Sequence, residues 1–301
     1  MASTASERAA AARLFDEDFL RKLEYFRLMS KQLLPGIMKG EHRSKQRGSG
    51  IEFADYRPYV PGDDVRQLDW GAYLRFDKLL LRLFEEEGDL PIYIFLDTSR
   101  SMVAGDPRKF DVARRFAAAL AYVGLLNLDR VHLVAYADGI VSASPTLHSP
   151  NQVFRAFDFM SRLEPAGETD LAKALETFFR TTRRRGLTIL LSDFFDPRGL
   201  APLDRLTALR HDLLAIQLVS PLDEPADGST ELMIVDSETG SKRRVPVTPD
   251  LTEAYRRVAQ EHAQELRSYC RKRGWDCLEA SVEENLEDLI LGVFQRGRFL
   301  R

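Results

Sequence analysis

Short apolar runs alternate with helical patterns from residue 89 to the end of the chain. Apolar runs of strand length occur at 90–96, 130–136, 187–192, 213–219 and 275–282. Segments with apolar residues at helical spacing separate most of these runs. Strands that alternate with helices indicate a mostly parallel sheet with helices on both faces and right-handed crossovers. The pattern therefore predicts an α/β fold with a doubly wound, mostly parallel six-stranded sheet.

Two hairpins are expected to interrupt this parallel pattern. The Asp-Gly pair at 138–139 is a tight-turn signal, so residues 140–143 are expected to return antiparallel to the preceding strand. A second hairpin is predicted at 231–247, as an insertion before the last long helix. The helix predicted at 169–185 is expected to stop at Gly186, because glycine commonly follows a helix C-terminus.

The first 88 residues have a different pattern. Residues 15–34 carry apolar side chains at helical spacing and end at a Pro-Gly pair, which predicts one amphipathic helix. Turn signals and an alternating segment at 79–84 are typical of β-structure. The predicted organisation is an N-terminal tail with the amphipathic helix at 1–40, a β-containing extension at 41–88, and the main domain with its inserted β-hairpin at 89–301.

The extension and the inserted hairpin are expected to stabilise each other. Two short strands alone bury too little apolar surface to be stable, and an exposed hairpin has the same weakness. We therefore predict that residues 51–60 and 79–85 pair with the hairpin at 231–247 to form one small β-rich subdomain.

Composition narrows the class of protein. The chain has 301 residues, 44% hydrophobic and 30% charged, which is enough for one large domain and a small module. No apolar run approaches the roughly 18 to 20 residues of a membrane span, and the N-terminus lacks the pattern of a secretory signal. A net charge of −3 gives no general attraction to nucleic acid. We therefore expect a cytoplasmic protein with no direct membrane span and no nucleic-acid partner.

Polar side chains lie in the loops that follow the predicted strands. In an open α/β sheet, ligands bind beyond the carboxyl ends of the strands, where the strand order reverses. Two carboxylates and three hydroxyls occur there, without His or Cys, and such hard oxygen ligands select Mg²⁺, with Mn²⁺ or Ca²⁺ as alternatives. From the residues alone, Asp and Ser in such a loop also cap helices and form turns. The candidate metal ligands are Asp97, Ser99, Ser101, Thr169 and Asp193.

This set resembles the metal-ion-dependent adhesion site of von Willebrand factor A domains. The shared features are Asp-x-Ser-x-Ser after the first strand, Thr before a helix, and Asp after the fourth strand. The resemblance implies that the three hydroxyls contact the metal directly or nearly so, and that Asp97 and Asp193 act mainly through bound water. It also implies that the sixth coordination position belongs to a carboxylate of a partner protein. Such a site binds rather than reacts.

A second resemblance covers more of the chain. The strings Gly-Ser-Gly-Ile-Glu-Phe at 48–53, Tyr-Arg-Pro-Tyr-Val-Pro-Gly-Asp-Asp-Val-Arg at 56–66 and Asp-Trp at 69–70 resemble the bacterial domain-of-unknown-function 58 family. The resemblance implies that residues 40–301 form one family architecture, in which a von Willebrand factor A-like domain carries an N-terminal extension. It also implies a role as an adaptor for a MoxR-type AAA+ ATPase. Many members begin with two membrane helices, which this sequence lacks, so their membrane attachment does not transfer.

The leading interpretation is a non-enzymatic, metal-dependent protein-interaction module. A metal-dependent phosphohydrolase that uses the same carboxylates is one alternative, and a structural scaffold with an empty site is another. A phosphatase of the haloacid dehalogenase type requires a second Asp where Ser99 stands. The sequence also lacks the nucleophile elbow, the phosphate-binding loop and the dinucleotide fingerprint of other common enzyme classes.

Overall fold

The computed structural model divides the chain into two compact units. One comprises Met1–Gln32 and Leu90–Phe299, and the other comprises Leu33–Asp89 and Leu300–Arg301. The structure describes residues 15, 17–19, 21–23, 47–48, 52–60, 68–85, 91–103, 108–182, 184–220, 231–235, 242–246 and 248–296.

The smaller unit contains a three-stranded antiparallel sheet and one short helix. The sheet order is β1-β3-β2, so β3 has a neighbour on both edges. The helix starts where the Asp69 side chain accepts a hydrogen bond from the Ala72 N–H, and it ends at Asp77 in a left-handed backbone conformation. The elements are β1 (Arg47–Gly48), β2 (Glu52–Pro58), α1 (Trp70–Phe76) and β3 (Leu80–Glu85).

The larger unit is built on a six-stranded sheet with the order β11-β8-β7-β4-β5-β6. Every neighbouring pair is parallel except β5 and β6, which form the hairpin expected from the Asp-Gly turn. The predicted α/β class and the mostly parallel six-stranded sheet are therefore confirmed. The strands of this unit are β4 (Pro91–Asp97), β5 (Arg130–Ala137), β6 (Gly139–Ala143), β7 (Leu187–Ser192), β8 (Asp212–Val219), β9 (Glu231–Val235), β10 (Lys242–Pro246) and β11 (Asp276–Ser281).

Helices cover both faces of this sheet, as the contacts of alternate residues in β4 show. Tyr93 and Phe95 belong to a buried cluster with α4, α5 and α6, whereas Ile92 points to the opposite face and meets α2 at Gly124. All seven residues of β4 are buried, as expected for a central parallel strand. The helices are α2 (Lys109–Leu126), α3 (Val153–Ser161), α4 (Leu171–Thr181), α5 (Asp204–Ala208), α6 (Pro249–Lys272) and α7 (Leu286–Arg296).

The N-terminal helical residues belong to the larger unit and contact two of its helices. Residues 17–19 and 21–23 are helical, and Phe19 and Leu23 are buried. Phe19 meets the Phe157 ring of α3 edge-on, while Lys22 forms an ion pair with Glu287 of α7. Most of the predicted helix at 15–34 lies outside the described residues. Among the residues that the structure describes, no helix is long and apolar enough to cross a membrane.

The inserted hairpin does not pair with the described strands of the extension, so that prediction is wrong. Strands β9 and β10 pair with each other in a two-stranded sheet of their own, while β2 and β3 belong to a different sheet. The sequence of β10 offers a reason for the difference, because it begins Lys-Arg-Arg, a charged pattern typical of strands that avoid further edge pairing.

Helix α4 is shorter than the sequence predicts. It begins at Leu171, after the Asp170 side chain accepts a hydrogen bond from the Lys173 N–H, and it ends at Thr181 rather than at residue 185. Gly186 is therefore not the residue that stops this helix. A Cβ atom at Gly186 would lie only 2.1 Å from the Pro91 carbonyl oxygen, so glycine is required there by the close approach of two backbones.

Candidate functional site

The strand order reverses at the centre of the six-stranded sheet. From β4 the chain continues to β5 on one side, and it later returns to place β7 on the other side of β4. Asp97 is the last residue of β4, and Asp193 directly follows β7. Because the two strands are parallel neighbours, both carboxylates lie at the crevice where α/β sheets bind ligands.

Asp97 is fully buried and held by its neighbours. Its Oδ1 accepts a hydrogen bond from the Ser99 N–H at 2.9 Å, and its Oδ2 accepts one from the Ser192 hydroxyl at 2.6 Å. The Tyr136 hydroxyl also faces Oδ2 at 3.4 Å. Burial, followed by the negative charge of Asp193, raises the pKa of Asp97 to about 6. The negative charge of Asp193 therefore acts on Asp97 from the end of the neighbouring strand.

The loop after Asp97 holds two of the predicted hydroxyl ligands together. The Oγ atoms of Ser99 and Ser101 lie 3.0 Å apart. This loop is fastened to the loop that precedes Thr169 by two backbone hydrogen bonds, so the two segments form one continuous wall. The bonds run from the Ala166 N–H to the Thr98 carbonyl at 2.7 Å and from the Arg100 N–H to the Gly167 carbonyl at 3.2 Å.

Thr169 provides the test of whether these residues fit a metal ion. Its hydroxyl oxygen is buried, and in the described part of the chain it has no hydrogen-bond partner. A buried hydroxyl without a partner costs about 1–3 kcal/mol, so such an atom requires an explanation such as a bound ion. The oxygen ligands in the crevice therefore fit a hard divalent cation. The neighbouring Asp170 caps α4 and is not needed as a ligand.

Asp193 carries an ion pair that the sequence interpretation missed. Its Oδ1 accepts a hydrogen bond from the Phe195 N–H at 3.2 Å, and its Oδ2 lies 3.0 Å from the Lys109 ammonium nitrogen. Both charged side chains are buried. The sequence does contain a signal for this lysine. Apolar residues stand four and seven positions later, at Ala113 and Phe116, so helical periodicity places Lys109 on the apolar face of α2, and in the structure both residues are fully buried.

The five predicted ligand residues therefore lie at or beyond the same edge of the sheet: Asp97 and Asp193 come at the ends of paired strands, and backbone hydrogen bonds join the loop of Ser99 and Ser101 to the segment before Thr169. Asp97, Ser99, Thr169 and Asp193 are buried, and Ser101 is partly exposed. Across the described ranges, no group of three or more His, Cys, Asp or Glu side chains is placed to hold a metal ion. The crevice instead combines two carboxylates, three hydroxyls and one ammonium group.

Comparison with known proteins places the chain in a family. Residues 55–265 match the family described as "Protein of unknown function DUF58". The chain belongs to the DUF58 family. The resemblance that the sequence shows to this family is therefore confirmed.

Two mycobacterial proteins align with the chain over different lengths. An uncharacterized protein of Mycobacterium tuberculosis is 30% identical over 286 residues, which cover 93% of this chain and 89% of that protein. An uncharacterized protein of Mycobacterium avium is 27% identical over 160 residues, covering 52% of this chain and 94% of that protein.

Solved structures with a similar arrangement of elements are more distant in sequence. An aerotolerance-related membrane protein from Bacteroides fragilis is 19% identical, with a TM-score of 0.46 over 69% of this chain and 98% of that chain. BatB from Bacteroides thetaiotaomicron is 18% identical, with a TM-score of 0.43 over 68% and 97%. The SpRpn10 von Willebrand factor A domain is 11% identical, with a TM-score of 0.38 over 67% and 94%.

Proposed function

We propose that this DUF58 protein is a non-enzymatic, metal-dependent protein-interaction module. The crevice beyond β4 and β7 would hold Mg²⁺, with Mn²⁺ or Ca²⁺ as possible substitutes, and the ion would bridge to an acidic residue of a partner. The observation that carries the proposal is the buried Thr169 hydroxyl, which has no hydrogen-bond partner among the described residues, in a segment that backbone hydrogen bonds join to the loop after Asp97.

The hydrogen bonds of the crevice divide its residues into two roles. The hydroxyls of Ser99, Ser101 and Thr169 are the oxygens available to contact the ion directly. The oxygens of Asp97 and Asp193 already accept hydrogen bonds from protein groups, so these residues would act mainly through bound water while fixing the loops. When bound, the cation supplies positive charge and a coordination position for an external carboxylate.

The rim of the crevice supports a protein ligand. Arg100, between the two serines, is exposed, and so is about half of Phe195, beside Asp193. The Phe195 ring stacks on His262 of α6, with ring centroids 4.8 Å apart. A fixed aromatic ring beside a charged site is a suitable anchor for a partner that presents Asp or Glu. As in the family resemblance, the proposed partner is a MoxR-type AAA+ ATPase, and the proposed setting is the cytoplasm.

The two alternatives fit the crevice less well. A phosphohydrolase needs a nucleophile or general base free to meet the substrate. Both oxygens of Asp97 are occupied by hydrogen bonds within the protein, and Ser99 occupies the position of the second Asp that a phosphatase would require. A scaffold with an empty site would leave the buried Thr169 hydroxyl uncompensated.

The proposal predicts that the Thr169 hydroxyl contributes strongly to the affinity for the metal ion. Thr169→Val keeps the shape of the side chain but removes the oxygen, so the affinity for Mn²⁺ or Mg²⁺ is expected to fall by about tenfold or more, measured by calorimetric titration. The same change at Thr207, an exposed residue of α5, is the matched control and is expected to leave the affinity unchanged. A wild-type protein that binds no divalent ion, or a Thr169→Val variant that binds as tightly as wild type, would contradict the proposal.

A further inference from the structure

The side chain of Lys109 places a buried ammonium group beside Asp193 in the candidate site. It is the first residue of α2, and only 2% of its surface is exposed. Its ammonium nitrogen lies 3.0 Å from Oδ2 of Asp193, and both side chains are almost completely buried. Lysine is rarely buried unless its charge is paired, because desolvation of an ammonium group is costly. The pairing with Asp193 is therefore a specific feature of the site rather than an incidental surface contact.

The ammonium group and a divalent metal would require the same negative charge. Asp193 is one of the two carboxylates proposed to hold the ion, and its Oδ2 is already occupied by Lys109. Two cations beside one carboxylate in a crevice of low dielectric constant repel each other strongly. Metal binding must therefore weaken or displace the Lys109–Asp193 ion pair.

The sum of the side-chain and metal charges shows why this competition would favour binding of an acidic partner. With both carboxylates ionised, the three side chains of Asp97, Asp193 and Lys109 together carry one net negative charge. A divalent ion would change this to one net positive charge, which an external carboxylate would neutralise. Without the ammonium group, the metal alone would neutralise the two carboxylates, and no acidic ligand would be needed for charge balance.

We propose that Lys109 is the internal counter-cation of the site, which competes with the divalent metal for Asp193 and so weakens metal binding in the absence of an acidic partner. This inference rests on the proposed function, because it assumes that the crevice accepts a metal ion. It adds a residue outside the predicted ligand set that sets the affinity of the site.

The test replaces the ammonium group by an uncharged side chain of similar length. Lys109→Met is expected to bind Mn²⁺ more tightly than wild type by about tenfold or more, the scale on which one nearby charge alters the ionisation of a carboxylate. The probe is Mn²⁺ alone, titrated calorimetrically into metal-depleted protein. Lys173→Met is the matched control, because Lys173 is more than half exposed and pairs with Asp138 outside the proposed ligand set. It removes the same charge but is expected to change the affinity far less.

The outcomes separate this inference from the proposed function. Wild type that binds Mn²⁺ while Lys109→Met binds equally or more weakly overturns the role of Lys109 and leaves the metal site intact. Binding by Lys109→Met alone would show that the lysine excludes the ion from the wild-type site; it would support the competition between the two cations but overturn the proposed function. No binding by either protein overturns both proposals.

If Lys109→Met fails to fold, rescue by Mn²⁺ tests the same inference. If Lys109→Met is unfolded in chelator, Mn²⁺ is expected to restore the helical circular dichroism signal, because the ion replaces the missing positive charge beside Asp193. Failure of Mn²⁺ to restore the signal would show that the ammonium group is purely structural, and would overturn the inference.

Discussion

His211 and Asp97 are both buried and both have shifted pKa values, but only Asp97 lies in the candidate functional site. Burial lowers the pKa of His211 to about 4, with a smaller contribution from the charge of Arg185. Its ring nitrogen Nδ1 lies 3.1 Å from the Thr188 hydroxyl, and its ring meets Phe179, so its polar group is satisfied inside the core. Asp97 is also buried, but it lies at a strand end beside a second carboxylate. A perturbed pKa indicates function only when other charged groups converge on it.

His211 therefore predicts how stability depends on pH. The folded state holds the imidazole neutral down to about pH 4, whereas in the unfolded chain it takes up a proton below its usual pKa of 6.5. Stability is complete above that value and is lost as the pH falls from 6.5 towards 4. The free energy of unfolding is expected to fall by about 2 kcal/mol between roughly pH 7.5 and pH 5 from this residue alone.

Urea unfolding of variants at the two pH values tests this assignment. His211→Gln is expected to be less stable at neutral pH but to have a weaker pH dependence than wild type. His148→Gln, at an exposed position, is the control and is expected to keep the wild-type dependence. Equal pH dependence in wild type and His211→Gln would show that another group is responsible.

At the level of elements, buried strands were the features most readily predicted. Their apolar runs are short and continuous because neighbouring strands and helices cover them on every side, as in β4 and β7. The inserted hairpin was harder to place, because two short strands reveal their own pairing but not the neighbour of their outer edges. The sequence pattern also places the end of α4 too late, because Gly186 is required for close packing between strands, a role that no local pattern reveals.

Substitution of Gly186 tests that packing role. In Gly186→Ala the new Cβ would overlap the Pro91 carbonyl oxygen, so β4 and β7 must shift apart, and a loss of unfolding free energy of about 2 kcal/mol or more is expected. Gly199→Ala is the matched control. Gly199 has a φ of 60°, and no atom lies within 4 Å of the position that an alanine Cβ would occupy, so only a backbone cost of about 1 kcal/mol is expected. Equal losses measured by urea unfolding would contradict the close approach at Gly186.

On the scale of the whole molecule, the topology of the sheet explains how distant residues form one site. The alternation of strands and helices predicts a parallel sheet, and a parallel sheet brings Asp97 and Asp193 to one edge. The Ser192 hydroxyl, which precedes Asp193, donates a hydrogen bond to Asp97 although 95 residues separate the two in sequence. The sequence therefore predicted which loops meet. It could not predict that the Thr169 hydroxyl would lack a partner among the described residues or that Lys109 would pair with Asp193, because both depend on side-chain packing between elements distant in sequence.

The most direct test of the proposed metal site is anomalous diffraction from crystals grown with Mn²⁺, with data collected on both sides of the manganese absorption edge. We predict a manganese peak in the crevice beyond β4 and β7, within coordination distance of the Thr169 hydroxyl. We also predict that the Lys109 ammonium group then lies farther from Asp193 than the 3.0 Å seen here. Well-ordered crystals without a manganese peak in this crevice would contradict the proposed metal site.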